Sequence, residues 1–107
     1  MSAARWDRLV ADLAAAGESA GSIELMAAKV TAKAYSQVEY GRVAQGVSRS
    51  IGIGQGEGLV MIRDRYGRGG KWYGYSVCVT QGDHDREVCR STKRSEVVAA
   101  VVKAVAR

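Results

Sequence analysis

The side chains able to do chemistry in this chain are mostly basic, and they are unevenly placed. The protein has 107 residues, 16 basic and 11 acidic, for a net charge of +5 and a pI near 9.5. Residues 1–50 hold six basic and five acidic side chains, residues 51–107 ten and six. The second half carries the cluster Arg63, Arg65, Arg68, Lys71, Arg86, Arg90, Lys93 and Arg94, with Trp72 among them. Guanidinium forks bind phosphate oxygens bidentately, and an aromatic ring stacks on a sugar or base. Arg outnumbers Lys by 11 to 5, which suits directed hydrogen bonding more than simple solvation. These nine residues form the candidate polyanion-binding site. The competing reading pairs Arg63, Arg65 and Arg86 with Asp64, Asp83, Asp85 and Glu87 on an ordinary wetted sheet.

Other chemistries have little to build on. There is one histidine, His84, in an expected turn, and two cysteines, short of the four ligands of a zinc module. We find neither paired carboxylates in a plausible cleft nor a nucleophile beside a base, so the expectation is a non-enzymatic protein without cofactor or metal. No apolar stretch approaches the roughly 20 residues that span a bilayer, and the N-terminus does not read as a signal peptide. A cytoplasmic protein with no membrane partner is expected. The absence of Pro, Phe and Asn beside abundant Ala, Val, Gly and Arg resembles the bias of a high-GC bacterium or its phage.

These side chains need elements to position them. Hydrophobic residues at 47% and charged residues at 25% fit a soluble globular chain of one domain. Trp6, Leu9, Val10 and Leu13 follow helical spacing after Ser2, with Gly17 as the stop. A second helix is expected after Ser22, with Ile23, Met26, Ala27 and Val30 on one stripe. The Ser36-x-x-Glu39 capping box and the stripe Tyr40, Val43, Ala44, Val47 and Ile51 predict helix through much of 37–50. Residues 1–51 thus read as a helical region, 52–58 as a glycine-rich linker, and 59–107 as a βββα module. Gly46 to Ser50 resembles the turn of a helix-turn-helix, but the glycines that follow end any recognition helix at once. The glycine run lacks the strand-before, helix-after order of a phosphate loop.

From residue 59 the apolar period falls to two, giving strands over 59–65, 72–80 and 86–90 and a final helix lined by Val97, Val98, Val101, Val102 and Val105. The fold expected is α+β, with N-terminal helices, a three-stranded antiparallel sheet and a C-terminal helix. Alternation puts Tyr73, Tyr75, Val77 and Val79 inward and Trp72, Gly74, Ser76, Cys78 and Thr80 outward. It also puts Arg86 and Arg90 on one face. A turn centred on Asp83-His84 sets Cys78 across from Cys89, about 5 Å apart at Cα and within reach of a disulfide. In a cytosol both thiols stay reduced.

The three strands and final helix resemble the arm-binding domain of tyrosine-type phage integrases and the plant ethylene-response type of DNA-binding domain, matching at Arg63, Arg65, Lys71, Trp72 and Arg90. That resemblance implies a sheet face in the major groove. Residues 59–106 also resemble the end of a double-stranded-RNA-binding domain, where Lys93-Arg94 match a phosphate-holding basic pair and Ala99-Ala100 the small residues after it. Glu96 and the missing Gly-Pro hairpin depart from that family. The expected partner is nucleic acid, duplex DNA before RNA, with a homodimer through the N-terminal helices and exposed Tyr35 and Tyr40. The alternatives are a protein-interaction module, such as a phage-encoded inhibitor or assembly component, and a small-nucleotide binder.

Overall fold

The computed structural model describes residues 2–39, 41–67 and 70–106, with the side chains of 2, 3, 37, 39 and 42–45 outside that description. Helix α1 (Ser2–Ala20) leads into a single turn, α2 (Ile23–Met26). Five antiparallel strands follow in sequence order: β1 (Val30–Glu39), β2 (Arg42–Ile53), β3 (Val60–Tyr66), β4 (Trp72–Gln81) and β5 (His84–Ser91). Helix α3 (Arg94–Val105) closes the chain. The α+β class and the helices at both ends match the expectation, but the sheet has five strands, not three.

The difference lies entirely in residues 30–53. The apolar stripe there fits helix spacing, yet the segment is rich in β-branched and aromatic residues and interrupted by Gly41, Gly46 and Gly52, which favour a strand pair over a helix. The connection 40–41 joins β1 to β2, and the register runs from Val30↔Ile51 to Glu39↔Arg42 without a break. Strand β3 pairs only with Ser50–Ile53 of β2. Eight rungs, Ala32↔Arg49 onward, therefore form a two-stranded ribbon with no third strand, about 26 Å long at ~3.3 Å per residue. The molecule measures 49 × 32 × 20 Å along its principal axes.

One hydrophobic core fills the space between the sheet and the helices. Helix α1 contributes Trp6, Leu9 and Leu13, α2 Leu25, and α3 Val97 and Val101. The sheet contributes Ile51, Ile53, Val60, Ile62, Tyr75, Val77 and Val79. Helix α1 runs past the expected stop at Gly17, because Gly17 is where α2 crosses it: a Cβ there would lie 2.8 Å from Leu25 Cβ. At α3 Lys93 holds the cap position, and its N–H donates to Ser91 Oγ at 2.9 Å.

Two bulges decide which way the strand side chains face. Between Arg65 and Tyr66 the β3–β4 register slips, so that Gly74 faces Arg65 but Trp72 faces Tyr66. Gly74 sits at φ +115°, and a Cβ on it would meet Ser91 O at 2.7 Å. Beyond this point alternation reverses: Tyr73 is 49% exposed, while Trp72 packs against the core. The expected assignments of these two side chains are thus exchanged. Gly74 lies buried against β5 rather than opening the outer face. The second bulge, at Val88, moves β5 from Cys78↔Glu87 to Val77↔Cys89. Because the hairpin also turns at Gly82-Asp83, one step earlier than expected, Cys78 and Cys89 are not cross-strand partners. Both are free thiols.

Candidate nucleic-acid interface

The register sets one rung across all five strands: Thr31, Ser50, Arg63, Ser76 and Arg90. The neighbouring rung, Val30, Ile51, Ile62, Val77 and Cys89, faces the core. Strand alternation therefore puts the polar rung on the opposite, outer face, spanning about 19 Å at ~4.8 Å per strand. Each of its five side chains can donate a hydrogen bond, and none is a carboxylate. Arg65 lies on the same face of β3, and register places Lys33 there on β1, opposite Ser48.

Carboxylates do reach this face, at its β5 side. Glu87 accepts from Ser76 Oγ and from Arg90 at 2.9 Å, and Asp85 accepts from Thr80 Oγ1 at 3.1 Å. The Ser76 hydroxyl, chiefly, holds the Glu87 carboxyl below the ordinary glutamate value, against the opposing effect of burial, with Arg90 and Arg65 adding to the lowering. These pairings bear on the competing reading. Asp85 and Glu87 are engaged with Thr80, Ser76 and Arg90, and Asp64 points to the other side of the sheet. Arg63, exposed, has no ion-pair partner among the described residues.

The other expected site residues are dispersed. The Val88 bulge turns Arg86 away from Arg90: it stands opposite Val79 and lines a cleft beside α3 with Val88, Ala100, Lys103 and Ala104. Arg94 is half-buried and paired with Asp12 of α1. Lys93 is exposed at the start of α3. Lys71 is exposed just before β4, its Nζ 5.6 Å from the Tyr73 ring centre. Arg68 lies outside the described residues. The structure thus gathers Arg63, Arg65 and Arg90, brings in Lys33, and separates Arg86, Arg94 and Trp72 from them.

Trp72 belongs to a different constellation, centred on Asp64, which composition alone does not single out. Its indole Nε1 donates to Asp64 Oδ1 at 2.7 Å, while Trp6 Nε1 and Tyr66 OH donate to Oδ2 at 2.9 and 3.1 Å. Arg5 lies 3.6 Å from Oδ1 and stacks 3.8 Å from the Trp72 ring centre. Tyr75 fills the space between the two tryptophans, edge-on to both at 5.4 and 5.2 Å. Burial raises the Tyr75 pKa, against the lowering field of Arg5, and burial with the Asp64 charge raises that of Tyr66. The Asp64 side chain is 2% exposed, so its charge must be met inside the protein. A signal was available: Val60 and Ile62 face inward, and the same parity sends Asp64 to the core side.

Compared with known proteins, the chain matches no family model, no curated protein and no solved structure. Among the described residues no helix is long and apolar enough to cross a membrane.

Proposed function

We propose that the protein is a small nucleic-acid-binding protein that contacts the phosphates of duplex DNA through the outer face of its sheet. The observation that carries this reading is the rung Thr31, Ser50, Arg63, Ser76 and Arg90, crossing the sheet with two guanidiniums and three hydroxyls. Of these, Ser76 and Arg90 are engaged by Glu87 at the β5 side, and Arg63 has no ion-pair partner among the described residues. Phosphate contacts draw on such side chains and need no groove-reading helix. Arg65, Lys33 and Lys71 extend the basic surface beyond the rung. The projecting ribbon supports duplex over single strand, since a major groove about 12 Å wide admits a two-stranded β-ribbon. The reading assigns no catalytic residue and no cofactor.

Titration of duplex DNA at a series of salt concentrations tests it. With about four phosphates contacted, log affinity falls against log salt with a slope near −3.6. Replacing both Arg63 and Arg65 by Ala removes two contacts, flattening the slope by about 1.8 and weakening binding at least severalfold. Lys29→Ala, in the exposed loop before β1, leaves both quantities unchanged. Equal affinity of the double variant and wild type overturns the site.

A further inference from the structure

The sheet has two free edges, and they are built differently. Strand β5 is an edge of the guarded kind, with a bulge at Val88 and Asp85, Arg86, Glu87 and Arg90 along it. Strand β1 has no bulge and fewer charges. It runs ten residues, Val30–Glu39, in unbroken register with β2, without proline, and its only charged positions are Lys33 and Glu39. Among the described residues its outer edge meets no further strand, and Val38 on it is 70% exposed.

We propose that β1 pairs antiparallel with β1 of a second copy of this chain, about a two-fold axis at Ser36, extending the five-stranded sheet to ten. Charge selects that register. Centring on Ser36 sets Lys33 across from position 39 of the second copy, a glutamate in the sequence, and the two-fold repeats the pair. Positions 33 and 39 share parity along β1. The same register sets Ala34 across from Val38, giving that exposed side chain an apolar neighbour on the inner face. Moving the axis half a residue, to between 35 and 36, puts Lys33 across from Val38 and breaks the match of faces. A two-fold normal to the sheet leaves both Arg63-bearing faces on one side of the dimer. The dimer is independent of what that face binds, so its test contains no nucleic acid.

Analytical ultracentrifugation of the full chain at low ionic strength, where surface charge pairs are least screened, measures the dimer dissociation constant. Reversing one charge replaces two attractive cross-strand pairs by two repulsive ones, so Lys33→Glu weakens the dimer about tenfold, and Glu39→Lys does so while also setting a second cation across from position 42 of its own hairpin. The double variant K33E/E39K restores the pairs in swapped form and recovers most of the loss. A protein that stays monomeric up to about 100 μM overturns the proposal. So does a dimer indifferent to both single changes, or a double variant no better than either.

Discussion

Removing the Asp64 carboxylate is the most exacting test of how the helical and sheet halves are joined. Asp64 accepts from both tryptophans of the protein, one on α1 and one on β4, and Arg5 adds a charge at 3.6 Å. In Asp64→Ala all these donors lose their acceptor together. Tyr66 is 45% exposed, so water can replace the lost bond at little cost. The Arg5 side chain is about a quarter exposed and recovers part of its solvation. The two indoles decide the magnitude: Trp6 is fully buried and Trp72 half-buried. A buried donor left without a partner costs about 1–3 kcal/mol. With the Arg5 charge no longer compensated, the total comes to about 3–5 kcal/mol, in the range for breaking a buried charged pair. The contributions share one acceptor and are not additive, so the sum does not rise further.

Urea unfolding followed by tryptophan fluorescence measures this directly, because both reporters touch the altered group. Asp64→Ala lowers the unfolding free energy by 3–5 kcal/mol, about a third or more of what a domain this size has in all. Asp64→Asn keeps one acceptor but loses the charge, and costs about half as much. It also supplies the measurement if the alanine variant does not fold. A loss under about 1 kcal/mol for Asp64→Ala would refute the reasoning, because the indoles would then have to find water or another acceptor in the unchanged fold.

Two further outcomes follow from the same geometry. Gly74→Ala places a methyl at 2.7 Å from Ser91 O with φ at +115°, so it destabilises by about 2–4 kcal/mol in the same urea assay; a neutral result means that β5 can shift without loss. The folded-state pKa of Glu87 is depressed, so the ionised carboxyl favours the folded state above the ordinary glutamate value, and that contribution is lost as pH falls through the folded value. A carboxyl-carbon NMR titration therefore places Glu87 below ordinary glutamate, and Ser76→Ala moves it upward; no movement assigns the depression to Arg90 instead.

Much of the core was legible in the sequence because burial repeats with the period of the element that buries it. The α1 positions Trp6, Leu9 and Leu13 and the α3 positions Val97 and Val101 are all fully buried, as their spacing requires. Residues 30–53 were not legible as strands for a physical reason: alanine and spaced apolar residues satisfy a helix and a half-exposed ribbon alike. Few tertiary contacts on the ribbon add a constraint that local pattern could reveal. The faces of β4 and β5 failed differently. Strict alternation is correct from Tyr75 to Val79, wrong at Trp72, which a bulge separates from that stretch, and wrong between Arg86 and Arg90, which lie on either side of the Val88 bulge. One inserted residue inverts every later assignment on its strand.

The two bulges therefore do more than correct a list of residues. By turning Trp72 inward, the Gly74 bulge takes the one aromatic of the expected phosphate site and gives it to the Asp64 knot, where it locks β4 to α1. By turning Arg86 toward α3, the Val88 bulge parts it from Arg90 and leaves Glu87 beside Ser76. What remains on the outer face of β3, β4 and β5 has one large aromatic, Tyr73, turned outward by the Gly74 bulge near Arg65 and Lys71. Its donors on those strands are guanidiniums and hydroxyls, which fit phosphates. Under the proposed duplex reading, this composition favours binding that follows the charge of the backbone more than the sequence of bases. Base discrimination, where it occurs, then falls to the ribbon, the element slender enough to enter a groove.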